Sequence, residues 1–166
     1  MALLQADVCG FTKYSARVPP EEVVELVTSL FGYFDQISQD MGVFKVCTIG
    51  DAYVATSELS TMTSEGQLDR SDGDLGFQSL IDKLTRVHLI LRLAYAFLVH
   101  IKTVRADLNI PELDMRVGLH FGNFCGGVIG SMLTGTNQIG RDKLRFDVWG
   151  VDILVVGNCE SGGVPG

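Results

Sequence analysis

Basic residues are in short supply: 13 Lys and Arg stand against 20 Asp and Glu, giving a formal net charge of −7 over 166 residues. That deficit argues against a nucleic-acid partner, because neutralising a phosphate backbone takes a basic face. Cysteine is scarce as well. The 4 present, Cys9, Cys47, Cys125 and Cys159, make no C-x-x-C pair or other metal-ligand spacing, so neither a zinc site nor a disulfide framework is read from them, and a reducing, cytosolic compartment is expected. No apolar run reaches the ~20 residues of a bilayer span, the longest, Leu89 to Val99, being broken by Arg92. Gly122, Gly126, Gly127 and Gly130 do not spell G-x-G-x-x-G, and close strand packing explains them better than a dinucleotide site.

What remains is 46% hydrophobic and 20% charged, too apolar for disorder and long enough for one domain over 1–166 that buries roughly 70% of its unfolded surface. Residues 3–9 predict a strand ending in a turn at Gly10, Phe11 and Thr12. Pro19 and Pro20 before Glu21 and Glu22 open a helix, and Val23, Val27, Leu30, Phe34, Ile37 and Met41 keep its spacing up to Gly42. Residues 43–56 predict a hairpin around Gly50 and Asp51. Residues 57–76 have the Ser, Thr, Gly and acid content of an exposed insertion. A long, mostly buried helix follows from Phe77 to about Leu108, carried by Leu80, Ile81, Leu84, Val87, Leu91, Ala94, Leu98 and Ile101. Strands are expected over 115–121 and 125–129, with a turn at Gly122 and Asn123, then a loop holding Gly130, Gly135 and Gly140, and a further strand from near Leu144. Strand, helix, hairpin, helix, strand is the order of a ferredoxin-like α+β fold, an antiparallel sheet with helices on one face. Such a fold names no function.

In that fold Asp7 ends the first strand and Asp51 tips the hairpin, so their carboxylates can converge. Two carboxylates held together repel unless a divalent cation lies between them. All-oxygen ligation suits Mg²⁺ or Mn²⁺, which leave positions open for water and phosphate. Plain turn roles for both aspartates are the competing account.

The stretches ADVCGFT, KVCTIGDAYVA, MRVGLHFG and RFDVWGVDI occur in that order, with the Pro-Glu-Glu helix start between the first two. Together they resemble the class III nucleotidyl cyclase catalytic domain from Ala6 to Gly166. The resemblance implies that Asp7, Asp51 and the Val8 carbonyl hold two Mg²⁺ or Mn²⁺ ions. It implies that Cys9, Gly10, Phe11, Thr12, Gly50 and Arg116 face the substrate phosphates, in keeping with turn amides as an anion nest and guanidinium as a bidentate phosphate partner. For Arg116 alone, a salt bridge on a strand is the plainer alternative. The implied reaction is attack of a ribose 3′-hydroxyl on the α-phosphate, yielding a 3′,5′-cyclic nucleotide and pyrophosphate, with the two metals supplying most of the charge stabilisation.

Two departures from the family pattern matter as much. The positions for a ribose-orienting asparagine and an α-phosphate arginine hold Leu154 and Asn158. Leucine has no polar atom and asparagine no charge for the transition state. Metal aspartates kept and this pair lost resembles the metal-donating half of a heterodimeric or pseudo-heterodimeric cyclase, whose partner domain supplies the missing residues. Cys47 and Asp147 take the purine-specifying positions, but in such a heterodimer they line the second, degenerate pocket. ATP and GTP both stay open. The combination is similar to that of large protozoan guanylyl cyclases, which leans the reading towards GTP and towards a cytoplasmic domain of a membrane-associated parent. Family domains continue past ESGG, so a C-terminally truncated piece is expected. A non-catalytic dimerisation or regulatory module of the same fold is the rival.

Overall fold

A computed structural model describes residues 1–57, 75–129 and 145–166. The elements run β1 (Ala2–Cys9), α1 (Phe11–Ser15), α2 (Pro20–Asp40), β2 (Val43–Ile49), β3 (Ala52–Ser57), α3 (Leu75–Asp107), β4 (Asp114–Phe121), β5 (Cys125–Ile129), β6 (Arg145–Trp149) and α4 (Val151–Ser161). The main sheet is antiparallel in the order β2-β3-β1-β4, and β5 and β6 form a separate two-stranded ribbon. The α+β architecture expected from the element order, an antiparallel sheet with packed helices, is the one observed. Most of the predicted 57–76 insertion, the loop glycines 130, 135 and 140, and Leu144 lie outside the described residues.

Alternation along β1 divides the core in two. Ala2, Leu4, Ala6 and Val8 point to the side where α2 and α3 pack, joining Leu30, Phe34, Tyr53, Leu93 and Phe97. Leu3 points the other way, into a smaller cluster with Val46, Val54, Phe124, Val148 and Val156. That second cluster puts α4 on the opposite face of the sheet, so helices cover both faces, one more than the sequence reading provides. β3 is buried along its whole length because both faces are covered.

The α2 prediction holds from Pro20 to the positive-φ Gly42, whose N–H donates to the Gln39 carbonyl. Leu26 joins the buried stripe. The α3 prediction needs correcting: the helix is there, but it is not mostly buried. Ile90, Leu93, Ala94, Phe97 and Ile101 face the core, whereas Leu80, Leu84 and Leu91 of the predicted buried set are at least half exposed, as is Tyr95. Apolar residues occur all around this helix, so spacing alone does not choose its inner face. By length and composition Leu80–Asp107 is apolar enough to cross a membrane, which the run broken at Arg92 does not suggest.

Candidate active site

The site builds from register. Asp7 is the partner of Ala52 on β3 and of Arg116 on β4. Asp51, one residue before Ala52, therefore shares the same end of the sheet. Gly50 and Asp51 form the two-residue connection between Ile49 and Ala52, and Gly50 takes φ 62°, as a tight hairpin asks of its first residue. The hairpin is tied to α2 from behind: the Tyr53 hydroxyl donates to Asp35 Oδ1 at 2.8 Å, and Lys45 Nζ donates to Asp35 Oδ2 at 2.8 Å.

The electrostatics follow from that placement. Burial raises the Asp51 carboxyl above its ordinary range, the Asp7 charge adds to the rise, and Arg116 opposes it. Arg116 Nη2 donates to Asp7 Oδ2 at 2.9 Å, a pair that holds the guanidinium firmly protonated, with Glu160 reinforcing it. Arg116 also forms an ion pair with Glu160 Oε1 at 3.0 Å. Glu160, on α4 and only 4% exposed, escaped the sequence reading. Its one signal was the four-residue spacing Asp152, Val156, Glu160, which aligns them along one face of a helix.

The expected phosphate turn is the start of α1. Gly10 takes φ 79° against the Glu112 backbone, and among the described residues no side chain caps the helix. Helix-start N–H groups have no partner within their own helix, so Phe11 and Thr12 bring such donors to the end of β1. Cys9 ends the strand, and burial pushes its thiol up. The Val8 side chain is buried in the larger core, and its backbone lies in β1 opposite Met115 of β4. Asp7, Asp51 and Arg116 are thus brought together beside this turn. Cys47 packs with Phe146 against the smaller core, and Phe44 of β2 meets Phe146 of β6 edge to face at 5.0 Å. Asp147 lies on that same β6, its Oδ1 accepting from the Val148 N–H. Leu154 and Asn158 are both on the exposed side of α4, Leu154 at 69%.

Among the described residues no three His, Cys, Asp or Glu side chains could hold a metal together. The donor set that the resemblance implies is two carboxylates and a carbonyl. That fits a hard cation which keeps several water or phosphate ligands, and not a closed structural site.

The Adenylate and Guanylate cyclase catalytic domain family matches residues 1–166. The chain belongs to that family. It is 42% identical over 166 residues to guanylate cyclase alpha of Plasmodium falciparum and 40% identical over 166 residues to a guanylate cyclase of Toxoplasma gondii, covering 100% of this chain in each case. It spans only 3% of the length of either relative. Among solved structures it is similar to the guanylyl cyclase domain of the RhoGC fusion protein from Blastocladiella emersonii, with TM-score 0.70 and 20% identity, over 99% of this chain and 74% of that one. That likeness is one of fold.

Proposed function

We propose that this chain is the metal-holding half of a composite nucleotidyl cyclase site, acting with a complementary cyclase domain to convert a purine nucleoside triphosphate into its 3′,5′-cyclic nucleotide and pyrophosphate. The observation that carries the reading is the division of labour across the molecule. Asp7 and Asp51 share one end of the sheet, while the two positions that would act on ribose and α-phosphate hold Leu154 and Asn158 on an exposed helix face. GTP is the favoured substrate, since the two relatives named above are guanylate cyclases. The whole protein is read as membrane-associated, with this domain in the cytoplasm.

In this reading Asp7, Asp51 and the Val8 carbonyl hold Mg²⁺ or Mn²⁺. Two such ions would supply the charge that activates the 3′-hydroxyl and stabilises the departing triphosphate. The amides at the start of α1 orient the β- and γ-phosphates, and Arg116 neutralises them. Cys47 and Asp147 belong to the second pocket and leave the purine to the partner. Exposed Ile49, Trp149, Val151 and Leu154 offer that partner apolar side chains.

The test is cyclase activity on GTP and on ATP with Mn²⁺, for the chain alone and mixed with a cyclase half that carries the asparagine and arginine. Activity only in the mixture, lost in Asp51→Ala, is expected. Turnover by the chain alone would overturn the division of labour, and silence in every mixture would favour a regulatory module.

A further inference from the structure

Glu160 has no task in the mechanism above, yet it is more deeply buried than any other acid of the site. Its side chain is 5% exposed and its Oε1 lies 3.0 Å from Arg116 Nη2, the nitrogen that also donates to Asp7. The contact with Glu160 lacks hydrogen-bond geometry: among the described residues Glu160 Oε1 and Arg116 Nε are both buried without a hydrogen-bond partner. A guanidinium carries five N–H donors and prefers a two-point grip on a carboxylate, so this arrangement is half made.

The helix that delivers Glu160 is fixed in place. Asp152, at its start, takes hydrogen bonds at 2.7 Å from His120 Nε2 and from the Asn123 N–H. Further along, a Cβ on Gly118 would overlap the Val156 carbonyl and the Glu160 N–H, so α4 rests directly on β4 beside Arg116. Glu160 cannot follow Arg116 outward, but Arg116 can turn towards Glu160.

We infer that Glu160 is the positioning residue for Arg116: it competes with Asp7 for the guanidinium and retains it once Asp7 turns to a divalent cation. The inference rests on the reading of Asp7 as a metal ligand. With cation at Asp7, like charge repels the guanidinium from that carboxylate. Glu160 is then its remaining counter-charge, and moving towards it gives Nε and Oε1 the partner each lacks. The rest of the fork is freed for a phosphate. Without Glu160, Asp7 is the one ion-pair partner left to Arg116 among the described residues, and every incoming cation must compete with that pair.

The experiment is a double-mutant cycle read on Mn²⁺ affinity, without nucleotide, for the chain and its Glu160→Gln, Arg116→Gln and doubly substituted variants. Glu160→Gln is expected to weaken Mn²⁺ binding about tenfold, and by less than about threefold once Arg116 is already Gln. Equal losses in both backgrounds, or no loss, would overturn the inference by reducing Glu160 to a distant charge or a bystander. Asp7→Asn separates the two readings, since unchanged Mn²⁺ affinity there removes Asp7 from the metal site whatever the cycle gives. A second measurement needs no variant: hydrogen exchange at Arg116 Nε–H should slow on saturation with Mg²⁺ as it gains Glu160. An exchange rate indifferent to Mg²⁺ would count against the inference even if Glu160→Gln failed to fold.

Discussion

Asp7 and Asp51 reach the same end of the sheet because Asp7 is paired with Ala52, the residue that follows Asp51. Burial raises the Asp51 carboxyl, and the neighbouring Asp7 charge adds to the rise. A site that repels its own ligands in the absence of cation should lose metal when either is neutralised. Asp7→Asn and Asp51→Asn are each expected to lower Mn²⁺ affinity at least tenfold, about 1.4 kcal/mol. Isothermal titration calorimetry measures this, with circular dichroism confirming that the fold is kept. Binding that survives both substitutions would place the metal elsewhere.

Gly10 is the hinge between β1 and α1. It combines φ 79° with a backbone so close to Glu112 that a Cβ would overlap the carbonyl. Alanine there suffers twice, from a left-handed conformation and from a clash with backbone that has little room to move. Gly10→Ala should cost on the order of 2 kcal/mol or more, seen as a lower urea midpoint. Gly32→Ala is the control, since nothing lies within 4 Å of its Cβ position and its φ is ordinary.

His100 gives the fold a pH dependence. Its ring stacks on Tyr33 with centroids 3.6 Å apart, Nε2 is buried without a hydrogen-bond partner among the described residues, and burial lowers its pKa. A histidine with a lowered folded pKa takes up its proton more readily in the unfolded chain. Its contribution is therefore intact above the ordinary histidine value of about 6.5 and is lost as pH falls below it. Urea midpoints compared at pH 7.5 and 5.5 should fall further for the unaltered chain than for His100→Phe, which keeps the stack and removes the titration. Equal falls would show that the ring takes up its proton alike in the folded and unfolded chain.

The parts of the site that could be read in the sequence are those set by local chemistry. β1, the Gly50–Asp51 turn and α2 follow from alternation, a glycine and a Pro-Glu-Glu start, and so the placement of Asp7 and Asp51 follows too. α4 was hidden because Val151, Ile153, Val155 and Val156 are β-branched and favour a strand. What makes this segment helical is non-local: Asp152 reaching His120 and Asn123, and the bare surface of Gly118. The Arg116–Glu160 contact depends on both β4 register and α4 docking, neither of which a linear pattern carries. The buried face of α3 was missed for another reason. Its apolar residues encircle the helix, and only the packing of Ile90, Leu93 and Phe97 onto the sheet and α2 breaks the tie.

Leu154 and Asn158 allow the most direct test of the division of labour. They are one helical turn apart on the exposed side of α4, across the helix from Val156 and Glu160, so replacing them leaves the core and the Arg116 contact untouched. Exposed substitutions of this kind usually change stability by less than ~0.5 kcal/mol, and an arginine near the end of α4 suits the negative pole of the helix. If the missing asparagine and arginine are what the chain lacks, Leu154→Asn with Asn158→Arg should let two copies form a working site. Cyclase activity with Mn²⁺ should then rise on the order of 10²-fold above the unaltered chain, the size of effect one transition-state donor provides. Adding Asp51→Asn to this variant should abolish the gain. A doubly substituted chain that stays folded, binds Mn²⁺ and remains silent would mean that the partner contributes more than this pair, with purine recognition the first place to look, because Cys47 and Asp147 would then face the substrate.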